Sequence, residues 1–219
     1  MSIKKLMNNK KILYLDACST SPPLKEVSQL INDIQTKYWA NPSNIHSLGI
    51  TSGELLERSR ESIAKLLKAN TSDVIFTSGS TESINIAILG TALAMKPSRI
   101  VISAVEHTSV IGATNILKKL GWDVAIWPVD SSGLIDLSLI EKMLTADTKI
   151  LSVIWAQSEI GTIQPVEFLG KECRKRDIIM HSDATQYINQ SPITWSNLDI
   201  DYLNLSAHKF RGPRGIGLL

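Results

Sequence analysis

The sequence predicts an α/β protein built on a mostly parallel sheet with helices on both faces. From residue 74 onward, short apolar runs of strand character alternate with segments of helical spacing. Such alternation calls for parallel strands covered by helices on either side. Polar clusters fall where the strand-like runs end, the edge at which open parallel sheets place their ligands.

Residues 1–11, which carry the Lys4-Lys5 and Lys10-Lys11 pairs, read as a loose solvated arm ahead of one large domain over 12–219. Lys11 to Asp16 reads as a short strand. Leu24, Val27, Leu30, Ile31, Ile34 and Tyr38 share helical spacing just after Pro22-Pro23, which marks a helix start. Asn41 to Asn44 is loop, and Gly53 to Lys68 is an amphipathic helix. Strands are then expected at Val74–Phe76, Arg99–Ser103, Val124–Trp127, Lys149–Trp155, Ile178–Asp183 and Tyr202–Ser206. Helices are expected between them at Glu82–Met95, Ser109–Leu120, Leu137–Leu144 and Val166–Lys175. The last residues before Leu219 read as part of a further strand.

Composition narrows the function classes. The 219 residues are 43% hydrophobic and 20% charged, enough for one large core. Twenty-three basic residues against 21 acidic ones, scattered along the chain, argue against a nucleic-acid stripe. No apolar run approaches the roughly 18 residues of a membrane span, and no signal-peptide pattern opens the chain. Two distant cysteines, Cys18 and Cys173, make no disulfide framework, so a reducing cytoplasm is expected. Four histidines and two cysteines without ligand spacing make a metal site unexpected. The five tryptophans are scattered and read as core or interface.

The chemistry gathers in the clusters. Thr77-Ser-Gly-Ser-Thr-Glu-Ser83 is a small-residue turn opening a helix, where free N–H groups and the helix dipole suit a phosphate; a plain Ser80 or Thr81 N-cap is the alternative. Asp183 closes an apolar strand, where a carboxylate needs a cation or donors. A protonated pyridine nitrogen is one such cation. His107 follows another strand, as a stacking or proton-handling imidazole or as a simple helix cap. Lys209 sits at the mouth of a buried strand beside Ser206 and His208, where desolvation would free an amine for Schiff-base chemistry.

These motifs resemble the NifS/IscS-type cysteine desulfurases of the class V aminotransferases, within the pyridoxal-phosphate enzymes of fold type I. The matching residues are Tyr14-Leu-Asp16 with Pro22, Asn41-Pro-Ser-Asn-Ile-His46, Phe76 to Ser83, Glu106-His107 and Glu159 to Pro165. His181-Ser-Asp-Ala-Thr-Gln186 and Ser206 to Gly215 complete the set in family order. The resemblance implies a large domain with a seven-stranded-type sheet, and pyridoxal 5′-phosphate carried by Lys209, which also moves the substrate α-proton. It implies that Asp183 pairs with the ring nitrogen and that His107 stacks on the ring. Ser80, Thr81, Ser206 and His208 would hold the phosphate, and Gln186 the ring oxygen. Ser158 stands where the family usually has an asparagine on that oxygen, in a Gln157-Ser158 pair replacing Asn-Asn. Ala17-Cys18-Ser19-Thr20-Ser21 also departs from the family's usual Asn/Ser-Ala-Thr-Thr.

By the same resemblance, L-cysteine would be the substrate and L-alanine the product, with sulfur passed to an iron–sulfur scaffold or a tRNA thiolation factor and the full-length protein a homodimer. The family's persulfide cysteine, its substrate-carboxylate arginine and its small domain lie beyond position 219. The chain therefore reads as an N-terminal fragment, expected to show no cysteine-dependent alanine release by itself. Cys173 reads as a packed thiol, and Cys18 does not match the persulfide position. A selenocysteine lyase, an aminotransferase or a non-catalytic interaction module are the competing readings.

Overall fold

The computed structural model describes residues 13–219. The predicted arm and the first two residues of the predicted strand at 11–16 lie outside them. Residues 13–16 form no strand: Leu13 and Leu15 are 80% and 83% exposed, on an extended strap that pairs with no sheet.

Helices α1 (Lys25–Lys37) and α2 (Ser47–Leu67) come first. α2 starts six residues before the predicted Gly53. His46 caps it through a ring nitrogen that accepts from the Gly49 N–H, and a Cβ at Gly49 would lie 2.4 Å from the Asn44 carbonyl. β1 (Phe76–Thr77) leads into α3 (Ser80–Asn85), which continues through a π-helical stretch, Ile86–Gly90, into α4 (Thr91–Leu93). Then follow β2 (Arg99–Ser103), α5 (Thr108–Lys119), β3 (Asp123–Trp127) and the short α6 (Ile140–Met143). β4 (Thr148–Ile154), α7 (Val166–Lys175), β5 (Ile179–Asp183), β6 (Tyr202–Ser206) and β7 (Gly217–Leu218) complete the order.

The seven strands form one sheet in the order β1-β7-β6-β5-β4-β2-β3. β2 to β6 pair in parallel, while β7 runs antiparallel to both β6 and β1. The seventh strand of the described sheet is thus β7, and residues 13–16 contribute none. Period-two alternation divides the core between the two faces. Ile100, Ile102 and Ile150 face Ile84 and Ile88 of the α3 segment and Val110 and Leu117 of α5. Val101, Leu151, Val153 and Met180 face Val166, Leu169 and Cys173 of α7. Apolar burial on both faces is what holds the strand ends in a common plane. Among the described residues no helix is long and apolar enough to cross a membrane.

Candidate active site

The five parallel strands stop at one edge of the sheet, and β2, β5 and β6 end there in Ser103, Asp183 and Ser206. A cavity of about 660 Å³ lies there, and every site residue expected from the sequence lines it: Ser80, Thr81, His107, Ser158, Asp183, Gln186, Ser206, His208 and Lys209. Thr20, Thr185 and Arg214 line it too and were not foreseen. Arg214 carried a readable signal, a cation inside a Gly/Pro turn five residues past Lys209; Thr185 carried none beyond its place next to Asp183.

One end of the cavity is the start of α3. The N-cap is Gly79, not Ser80 or Thr81, and no side chain caps the helix. Gly79 has φ 155° and ψ 174°, a conformation open essentially to glycine alone. The first-turn N–H groups of a helix have no intrahelical acceptor, so this uncapped turn keeps donors for an anion. Its hydroxyls are held sideways: Ser80 Oγ pairs with Thr185 Oγ1 at 2.6 Å and Thr81 Oγ1 with Ser109 Oγ at 2.9 Å. Glu82 folds back to accept from the Ser78 N–H at 2.6 Å, and its hydrogen bonds to Ser78 hold its carboxyl below the usual range.

The lysine loop leaves β6 as a 3₁₀ turn, Ala207–Phe210, and is clasped by the strap from the N-terminal side. Lys209 Nζ donates to the carbonyls of Cys18 and Ser19, both at 2.8 Å. Ser21 Oγ donates to the His208 carbonyl at 2.9 Å and accepts from the Arg211 N–H at 2.9 Å. His208 Nδ1 pairs with Thr20 Oγ1 at 3.0 Å. Burial, with the charges of Lys209 and Arg214 adding to it, holds the His208 imidazole below its ordinary value. A neutral ring there retains one N–H to offer an anion.

Asp183 is buried at the end of β5. Its Oδ1 accepts from the Thr185 N–H at 3.0 Å and from Asn204 Nδ2 at 2.8 Å. Its other oxygen has no partner among the described residues, and Asp183 lines the cavity, which suits a cationic N–H. His107 fits the helix-cap reading and also stands at the cavity. It caps α5, Nδ1 accepting from the Ser109 N–H at 3.2 Å, and it lines the cavity. Gln186 Nε2 donates to the Cys18 carbonyl at 2.6 Å, leaving its oxygen side unused by that bond. Ser158 follows Gln157, whose Oε1 accepts from the Glu159 and Ile160 N–H groups at 2.5 and 3.0 Å.

A second carboxyl stands behind this wall. Glu106 Oε1 accepts from the Ile154 N–H at 2.7 Å and from Ser103 Oγ, while its buried Oε2 has no partner among the described residues. Burial pushes its pKa up to about 8 against those donors, with the Asp183 charge adding to the rise. A folded pKa above the unfolded one means folding takes up a proton. The stability this gives is full below about pH 4.5 and is lost as pH rises through about 8. Glu106→Gln is therefore expected to flatten the fall in stability between about pH 5.5 and about pH 8.5, by an amount on the order of a few kcal/mol. Urea midpoints at the two pH values measure it, and parallel slopes in parent and variant would reject the assignment.

Together the fold and the cavity define an open α/β protein with a lysine, an aspartate and an uncapped helix start converging at the carboxyl edge of its sheet. The family of that description is the class-V aminotransferases, whose profile matches residues 13–219, and the chain belongs to it. It is 41% identical over 212 residues to the cysteine desulfurase IscS of Dictyoglomus turgidum, covering 96% of this chain and 54% of that protein. A solved NifS-like protein superposes with a TM-score of 0.89 at 34% identity, covering 94% of this chain and 57% of the other. SspA in complex with cysteine superposes equally well, TM-score 0.89 at 33% identity, covering 94% and 60%. The chain spans about half the length of the curated relatives it matches.

Proposed function

We propose that residues 12–219 are the cofactor-binding large domain of a pyridoxal-phosphate-dependent cysteine desulfurase, working on L-cysteine in the cytoplasm. The single observation that supports this most is one cavity lined by Lys209 and Asp183 and bounded by the uncapped start of α3. The donor set fits the group. Uncapped N–H groups with Ser80, Thr81, Ser206 and His208 suit a phosphate dianion, and a carboxylate with one unpartnered oxygen suits a pyridinium nitrogen.

When bound, pyridoxal 5′-phosphate supplies an electron sink that makes the Cα–H bond of an amino acid acidic. The residues of the chain supply the rest. Asp183 would hold a proton on the ring nitrogen, supported from behind by Asn204 and the Thr185 N–H. Lys209 would leave the Cys18 and Ser19 carbonyls to hold the cofactor's aldehyde carbon, and its amine would carry the substrate α-proton. His107, its ring fixed by capping α5, would stack against the cofactor ring. Gln186 would bond the ring oxygen, with Ser158 offering a shorter, hydroxyl contact on the same side.

Alanine would be the product, and the sulfur would pass to an acceptor protein for iron–sulfur clusters or tRNA thiolation, with two copies of the full-length protein working together. Cys173 is unsuited to carry that sulfur, because burial pushes its thiol up to about 12.

Borohydride reduction of the protein in the presence of pyridoxal 5′-phosphate, followed by peptide mass mapping, tests the assignment. One adduct at Lys209 is expected. Modification spread over surface lysines, with none at 209, would end the proposal.

A further inference from the structure

Behind Asp183 runs a buried line of polar side chains, of which the reading above uses only Asn204, Thr185 and Ser80. Ser152 on β4 and His181 on β5 are aligned in the ladder, as are Asp183 on β5 and Asn204 on β6, so all four lie on the face turned toward α3. His181 Nδ1 meets Ser152 Oγ at 2.9 Å, and His181 Nε2 meets Asn204 Oδ1 at 2.8 Å. Asn204 Nδ2 reaches Asp183 Oδ1 at 2.8 Å and Thr185 Oγ1 at 3.1 Å, and Thr185 Oγ1 meets Ser80 Oγ at 2.6 Å. Ser152, His181 and Asn204 are all buried.

We propose that His181 and Asn204 are positioning residues: one buried relay that fixes both the Asp183 carboxylate and, through Thr185, the Ser80 hydroxyl in the cavity wall.

The donor directions follow from chemistry. An ionised carboxylate only accepts, so Asn204 must turn its amide NH₂ toward Asp183 and its oxygen toward His181. His181 must then carry its proton on Nε2, leaving Nδ1 to accept from the Ser152 hydroxyl. Thr185, having accepted from Asn204, gives its own proton to Ser80, which keeps the Ser80 proton for a ligand. Burial holds the His181 imidazole below its ordinary value, opposed by the charge of Asp183 on the same strand. A neutral ring of one tautomer is the form this relay requires. Apolar residues would fill the space without desolvating three polar groups, so a satisfied network there is informative about what it holds.

The proposal rests on the cavity being a pyridoxal-phosphate site, and two measurements separate the two ideas. Nitrogen-15 NMR of the histidine-labelled protein, without cofactor, reads the tautomer. His181 is expected to be neutral with its proton on Nε2 from about pH 6 to about pH 8. A proton on Nδ1, or titration near the ordinary histidine midpoint, overturns the relay. Then the pH-dependent absorbance of bound pyridoxal 5′-phosphate is compared in parent, His181→Leu and His181→Gln.

Leucine removes the donor to Asn204 and is expected to move the midpoint by about one pH unit or more. Glutamine restores an N–H and should bring it back most of the way. Equal midpoints in the two variants and the parent overturn the proposal, whereas a relay that only stabilised the fold would leave them unmoved. A parent that takes up no pyridoxal phosphate sinks the cofactor reading, and the tautomer alone then decides the relay. That arm needs no variant to fold.

Discussion

Asp183→Ala is expected to weaken pyridoxal 5′-phosphate binding by about a hundredfold or more. Removing one partner of a buried ion pair costs about 3–5 kcal/mol, and each 1.4 kcal/mol or so is tenfold in affinity. In the variant the Asn204 amide and the Thr185 N–H also lose their acceptor. Asp183→Asn separates charge from shape, because an amide oxygen still accepts from both. It should keep the unliganded protein's melting temperature close to the parent's, since the amide oxygen keeps both hydrogen bonds and no buried charge has to be desolvated. It should still lose most of the affinity. Fluorescence titration with the cofactor decides: affinities within about threefold of the parent for both variants would mean that no cation faces Asp183.

Gly217→Ala is expected to damage fold and site together. A Cβ at Gly217 would lie 2.5 Å from Gly79 Cα, 2.6 Å from the Gly79 carbonyl carbon and 2.7 Å from Thr77 Oγ1. Two of those contacts are backbone, so β7 or the 77–80 turn has to move. Overpacking of this kind costs about 1–3 kcal/mol, and the turn that moves is the one that starts α3. The matched control is Gly90→Ala, a helical position with open space around it. There alanine is expected to be neutral or to stabilise by about 0.5–1 kcal/mol. Thermal melts of the two variants, with cofactor affinity alongside, measure both effects. Gly217→Ala melting and binding like Gly90→Ala would show that the close approach of β7 to the turn carries no weight.

The central sheet was legible because its strands are apolar runs bounded by polar ends. Arg99–Ser103, Tyr202–Ser206 and the helix Val166–Lys175 came out at the predicted bounds. The reading failed where apolar residues serve something other than a sheet. Ile12 to Leu15 has strand composition, yet Leu13 and Leu15 are exposed on a strap whose hydrogen bonds go to the lysine loop. The start of α2 was hidden by its two glycines, because a sequence does not show that Gly49 sits against the Asn44 carbonyl.

The lining of the cavity was legible, because the residues expected there are polar groups near strand ends, and all of them line it. What supports them was not. His181 and Asn204 are embedded in apolar strands, and only pairing across β4, β5 and β6 brings them together. A period-two step from Asp183 back to His181 was the one available hint.

The clasp on Lys209 bears on when the site is born. The amine is held by a carbonyl 191 residues earlier in the sequence, and β1 finds its partner in the distant β7. Closing loops of that length is slow compared with forming local helices. A nascent chain therefore exposes the strap well before its lysine exists, and the niche for the amine closes only after local helices can form. Any chemistry of that amine is thereby timed to follow folding rather than compete with it.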